Sequence, residues 1–166
     1  EGFVDRAAAL TALPAAAQDG ALDGVAEEMA AQAQAIIAAA EGPNPIANLQ
    51  GVNPPEVLRH GLDSVERTDW SYWPRSREGW PLGRMNARQR MAVQEMLTTL
   101  LSARGYLQVS AIMSLEPVLA AIETVGFMRG EEYYWLTIYG DPAADSAWGW
   151  SFEGHHISLK VTVTPE

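Results

Sequence analysis

The chain contains no cysteine among its 166 residues. That absence removes disulfide staples, thiolate ligation of zinc or iron–sulfur clusters, and thiol nucleophiles together. It leaves the compartment open, because an exported protein can also lack cysteine. Basic residues are scarce: 11 Lys and Arg face 21 Asp and Glu, a formal charge of −10 and a pI near 4.7. A surface of that sign repels polyanions, which excludes a general nucleic-acid module and argues against an anionic membrane as partner. No apolar run approaches the ~20 residues of a membrane span, and no basic start leads into an apolar signal core. The chain opens on Glu1-Gly2-Phe3 without an initiator Met, which points to a trimmed or processed product. Phosphate-loop, GxGxxG, GxSxG and SxxK patterns are missing too, so neither a nucleotide fold nor a serine-nucleophile enzyme is legible.

What is present fits one α+β domain of ordinary size, read in three stretches. Residues 1–41 carry 16 alanines by position 40, and Ala has the strongest helix propensity. Pro14 and Asp19-Gly20 divide this stretch, predicting helices over about 3–17 and 22–40 that form a hairpin on the domain surface. Val25, Met29, Ile36 and Ile37 make a loose stripe on the second. Residues 42–83 are dense in Pro and Gly but also hold Trp70, Tyr72, Trp73 and Trp80. Disordered linkers are poor in aromatics, so an ordered loop region is expected, with one short helix from Pro55 to about Leu62. Residues 84–166 begin with Asn86 and Gln89 in capping-box relation ahead of Val93, Met96, Leu97, Leu100 and Leu101, predicting a helix over 87–103 ended by Gly105. A further helix over about 108–125 would turn Ile112, Leu115, Leu119 and Ile122 inward, kinked or divided by Pro117 near Glu116. The remainder reads as a long antiparallel hairpin, Tyr133–Tyr139 against Trp148–Thr164, with Ile157, Leu159, Val161 and Val163 sharing one face. Two strands need helices or further strands to be stable. A second polypeptide completing the domain, or a homo-oligomer, is one way to supply them.

Three groups of residues could carry chemistry. His155 and His156 follow Glu153, and these donors suit a divalent metal such as zinc, copper or iron. Neighbours on a regular strand point to opposite faces, so joint ligation would need a bulge at Gly154. Second, seven of the basic residues lie at Arg67, Arg75, Arg77, Arg84, Arg88, Arg90 and Arg104, opposed within that span only by Asp69, Glu78 and Glu95. Arg75 beside Trp70 and Trp73 could hold a small anionic or sugar-like ligand through guanidinium forks and aromatic faces. Third, Trp148 and Trp150, two apart on one strand face, could extend that aromatic site or fill the core. Ser158 lies near His156, but spacing alone gives no triad. Among Glu95, Glu116 and Glu123, spacing reveals no general-acid pair.

The strings ERTDWSYWP (66–74), GWPLGRM (79–85), LLSARGY (100–106), IMSLEPVL (112–119), YYWLTIYGDP (133–142) and WGWSFEGHHISL (148–159) resemble, in that order, a bacterial family of unknown function numbered 3500. The resemblance covers about residues 63–165. It implies that a shared site maps onto Trp148, Trp150, Glu153, His155 and His156. The position after WGW, often Arg in the family, is Ser151 here. The resemblance also implies that the chain is the N-terminal part of a longer domain and is exported after removal of a signal peptide, with a cytoplasmic location still open. Three functions stay in view: a metal-dependent hydrolytic or oxidative enzyme at His155, His156 and Glu153; a binding module at Trp70, Trp73, Arg75, Trp148 and Trp150; and a structural subunit of a split domain.

Overall fold

The computed structural model describes residues 24–41, 58–123 and 127–164. The helix expected over 3–17 and the first three residues, 55–57, of the one expected from Pro55 lie outside them. Helix α1 spans Val25–Glu41, α2 Ala87–Leu100, α3 Ala103–Ser114 and α4 Glu116–Ile122. The strands are β1 Arg59–His60, β2 Trp80–Pro81, β3 Trp135–Tyr139, β4 Trp148–Gly154 and β5 Ile157–Val163. Both faces of an α+β fold are therefore present.

The caps explain the helix boundaries. Asn86 Oδ1 accepts from the Gln89 N–H at 3.0 Å while the Gln89 side chain accepts from the Asn86 N–H at 2.8 Å, satisfying two otherwise orphaned donors at the start of α2. Gly105 does not end that helix. Leu101 in extended conformation does, and Ser102 at once caps α3 by accepting from the Gly105 N–H. Pro117 stands at the head of α4, where its missing N–H costs nothing, so the chain divides at Leu115. The inward stripe of α3–α4 is Gly105, Val109, Met113 and Glu116, at spacings of four, four and three. The expected inward set is turned by half a face: Leu115 and Ile122 are exposed and Ile112 and Leu119 half-buried. By length and composition alone Ala103–Ile122 could cross a membrane, although no strict apolar run does.

Helix α1 is a core element, not a surface one. Met29, Ala33, Ile36, Ile37 and Ala40 are buried, and the small alanines let α1 lie close against α2. Gln32 Nε2 donates to Thr99 Oγ1 at 2.8 Å and Gln89 Nε2 to the Ala39 carbonyl at 2.8 Å, which makes the pair antiparallel.

The sheet has five strands in the order β1-β3-β4-β5, with β2 also on β3. β1 runs parallel to β3 and the other pairs are antiparallel. The strand expected from Trp148 to Thr164 is two strands: Gly154 pairs with Ile157, and His155-His156 form the turn between them. A φ of 58° at His156 closes that turn. The short helix expected to reach Leu62 gives way at Arg59 to β1, which pairs with Ile138 and Tyr139. The missing sheet partners thus come from the loop region of this chain.

The register gives the sheet two unlike faces. Leu136, Ile138, Trp148, Trp150, Phe152 and Ile157 face the helices and join one core with Ile36, Val93, Met96, Leu97 and Met113. Trp135, Thr137, Tyr139, Ser151, Glu153, Ser158 and Lys160 point the other way, by strand alternation.

Candidate functional site

The second face is buried yet polar. Thr137, Tyr139, Ser151 and Glu153 sit side by side on β3 and β4, each with less than a tenth of its surface exposed. Such groups are costly to bury unless hydrogen-bonded, and each is. Tyr139 Oη lies 3.1 Å from Ser151 Oγ. Thr137 Oγ1 donates to the Glu78 carbonyl at 3.2 Å, and Glu153 Oε1 accepts from Ser158 Oγ at 2.7 Å with Lys160 Nζ at 3.3 Å.

Residues 61–79 arch over this face. Lys160 Nζ on β5 donates to the carbonyls of Glu66 and Asp69, and Arg67 donates to Thr162 Oγ1 and to its own loop at Leu62. Arg77 donates to the carbonyls of Ser71, Trp73 and Arg75, and its guanidinium stands 5.7 Å over the Trp135 ring. Arg75 pairs with Asp69 at 2.5 Å. The arginines of this segment are thus largely engaged in holding the loop.

Between loop and sheet lies a cleft of about 190 Å³ lined by Glu66, Asp69, Arg75, Ser76, Arg77, Glu78, Thr137, Tyr139 and Glu153. Four of its groups, Glu66, Asp69, Arg77 and Tyr139, are shifted from their ordinary values for local reasons. The Ser64 hydroxyl holds the Glu66 carboxyl low, and the Arg75 guanidinium does the same for Asp69. Burial pushes the Tyr139 hydroxyl up, and it lowers the Arg77 guanidinium against the opposing pull of Glu153. On the loop that covers the cleft Trp70, Tyr72 and Trp73 are half or more exposed. Tyr72 stacks on Trp73 with ring centroids 5.5 Å apart and on His156 at 6.3 Å.

The turn residues part company. His155 faces inward, its Nδ1 2.6 Å from Glu116 Oε1. Arg129 Nη1 lies 2.6 Å from Nδ1 and 3.0 Å from Nε2 of the same ring. Arg129 also makes a fork with Glu123, both bonds at 2.8 Å, and this holds the Glu123 carboxyl low. Glu116, with 1% of its side chain exposed, keeps Oε2 without a hydrogen-bond partner, 3.7 Å from Arg129 Nη1. Tyr134 Oη donates to the His155 carbonyl at 2.9 Å and is pushed up by burial, then by Glu116. His156 lies on the outside of the turn, its ring 3.9 Å from that of His155; desolvation and then His155 hold it below the ordinary imidazole range.

The structure therefore distributes the sequence candidates among three places. Glu153 and Arg75 line the cleft, with Trp70 and Trp73 exposed on the loop that covers it. Trp148 and Trp150 do not join them: they are buried on the opposite, helix-facing side of the sheet. His155 and His156 stand ring beside ring, but Glu153 faces the cleft, and among the described residues no three His, Asp or Glu side chains are grouped to hold a metal ion. The unexpected members are Glu116, Arg129 and Tyr134 around His155, Thr137 and Tyr139 on the cleft floor, and Ser151 bonded to Tyr139. Glu116 had a signal, since it continues the inward stripe of α3; Arg129 had none.

An α+β domain with a polar cleft under a loop that carries exposed aromatics is the class that fold and site define. The chain matches the protein family of unknown function DUF3500 over residues 27–166, and it belongs to that family. The match begins within α1 and so reaches further toward the N-terminus than the strings quoted above. No curated protein and no solved structure matches the chain.

Proposed function

We propose that this domain is a binding module for a small, hydroxyl-rich ligand of the saccharide class, held in the cleft between residues 61–79 and the polar face of β3–β5. The observation that carries this reading is the row Thr137, Tyr139 and Glu153, buried in the middle of a sheet yet lining the cleft, with Ser151 bonded to Tyr139. Hydroxyls and a carboxylate turned toward a cleft offer the alternating donors and acceptors that sugar hydroxyls need. The exposed Tyr72–Trp73 stack adds an apolar platform for a sugar ring. A cleft of about 190 Å³ is below the ~300–1,000 Å³ of pockets for drug-sized ligands, which favours one ring in the cleft and any further rings along the rim. An anionic ligand is disfavoured. The lining carries the four carboxylates Glu66, Asp69, Glu78 and Glu153 against two arginines, and both arginines are engaged within the loop.

Calorimetric titration with a panel of neutral mono- and oligosaccharides, alongside sugar phosphates and uronic acids, tests this. Neutral members are expected to bind. Trp73→Ala should weaken them about tenfold, and Glu153→Gln by ~10- to 100-fold, the worth of a hydrogen bond to a charged group. Binding by the anionic members alone, or binding that survives both substitutions, refutes the proposal.

A further inference from the structure

Among the groups that line the cleft, Glu153 alone is both charged and buried, with 8% of its surface exposed. Only one of its carboxylate oxygens is supplied with donors. Oε1 accepts from Ser158 Oγ at 2.7 Å and stands 3.3 Å from Lys160 Nζ, an ammonium that is shared with the carbonyls of Glu66 and Asp69. Oε2 has no hydrogen-bond partner among the described residues, and it is not closed off from solvent. A carboxylate buried this deeply is costly unless donors meet its lone pairs. Since Glu153 belongs to the cleft lining, the cleft is the open route by which a further donor reaches Oε2.

The charge around that oxygen has the same sign. Glu66, Asp69 and Glu78 also line the cleft, against Arg75 and Arg77. Arg75 is neutralised by Asp69 at 2.5 Å, and Arg77 turns its N–H groups onto the carbonyls of Ser71, Trp73 and Arg75. Glu66 and Glu78 make no ion pair among the described residues. The Tyr139 hydroxyl on the cleft floor feels two of these carboxylates at once: burial raises it first, and the charges of Glu153 and Glu66 both push it further the same way. A formal charge of −10 on the whole chain adds to that field. Such a site draws a cation in and repels an anion. An ammonium group brings three N–H donors and no acceptor, which matches a buried carboxylate oxygen that lacks a donor.

We propose, on the basis of the saccharide reading above, that the preferred ligand is an amino sugar whose protonated amine donates to Glu153 Oε2 within the field of Glu66. Calorimetric titration of the full chain with glucose, glucosamine and N-acetylglucosamine, and with the galactose and mannose counterparts, tests this. At least one amino sugar is expected to bind about tenfold or more tightly than its hydroxyl parent, the worth of a hydrogen bond to a charged group. The N-acetyl form keeps the ring and loses the charge, so it should lose that gain, and added salt should shrink the gain. Glu153→Gln should bring the ratio of amino-sugar to parent affinity close to one. Glu66→Gln, on the covering loop, should cut the same ratio several-fold, and it keeps the proposal open to refutation if tryptophan fluorescence shows that Glu153→Gln does not fold. Parent sugars that bind without any gain from the amine overturn this proposal and leave the saccharide reading standing. Failure of every sugar, charged or neutral, overturns both. A gain that survives both substitutions places the ammonium elsewhere and also overturns the proposal.

Discussion

Glu116→Ala is expected to be the most damaging single change at the His155 turn. The carboxylate is buried to 1% exposure, accepts from His155 at 2.6 Å and stands 3.7 Å from Arg129. Its removal leaves a cation with 9% of its side chain exposed short of one counterion, and the His155 Nδ1 without an acceptor. Removing one partner of a buried pair costs about 3–5 kcal/mol. Arg129 keeps its two-bond fork to Glu123 at 2.8 Å, but Glu123 is 37% exposed and so compensates only in part. The expectation is thus the lower part of that range, about 3–4 kcal/mol, a large share of the roughly 5–15 kcal/mol that hold a domain together. Glu116→Gln, which can still accept from His155, should lose about 1–2 kcal/mol. Urea unfolding at neutral pH, followed by tryptophan fluorescence, reads both as midpoint shifts at constant slope. In a double-mutant cycle, Arg129→Ala should cost at least ~1 kcal/mol less in the Glu116→Ala background than in the wild type. A loss below ~1 kcal/mol for Glu116→Ala, or strict additivity in the cycle, would refute the network as described.

Gly154→Ala should destabilise the fold by about 2–4 kcal/mol, read by the same unfolding assay. A Cβ there would stand 2.1 to 2.6 Å from three carbons of the Tyr134 ring, so the ring must leave its stack on Phe152 and its bond to the His155 carbonyl. A neutral substitution would mean that Tyr134 does not lie over Gly154. The loop over the cleft should also loosen in acid. Asp69 is held below the ordinary carboxyl range by Arg75, so its contribution is complete above the unfolded value of about 3.9 and is lost as pH falls through that value and below it. An acid titration followed by the fluorescence of Trp70 and Trp73 should show this transition, and Asp69→Asn should remove it. An unchanged titration in that variant would show that the pair does not hold the loop.

Much of the local architecture could be read from residue spacing, because short-range geometry decides it. The Asn86–Gln89 box, the division at Pro117 and the alternation of Ile157 to Val163 depend on contacts only a few residues apart, and each stands where spacing placed it. The assignment of faces was less secure. Leu115 and Ile122 fit an inward stripe as well as Val109 and Met113 do, and only the packing partner decides which stripe is covered. The turn at His155-His156 escaped notice for a related reason, since a non-glycine residue at positive φ leaves no mark in a hydrophobic pattern. The candidate site divides along the same line. Glu153, Arg75, Trp70 and Trp73 were legible as chemically capable residues, but the sequence could not say that Trp148 and Trp150 belong to the core, because both readings fit the same alternation. The sequence by itself determined the capping box that starts α2, the strand faces and the inventory of polar and aromatic groups. Which groups meet was decided by tertiary structure alone. Glu116 reaches His155 from 39 residues away, and Lys160 meets the Asp69 carbonyl across 91. Contacts at that separation are set by the register of β3–β5 and the path of the covering loop, and no local pattern encodes either.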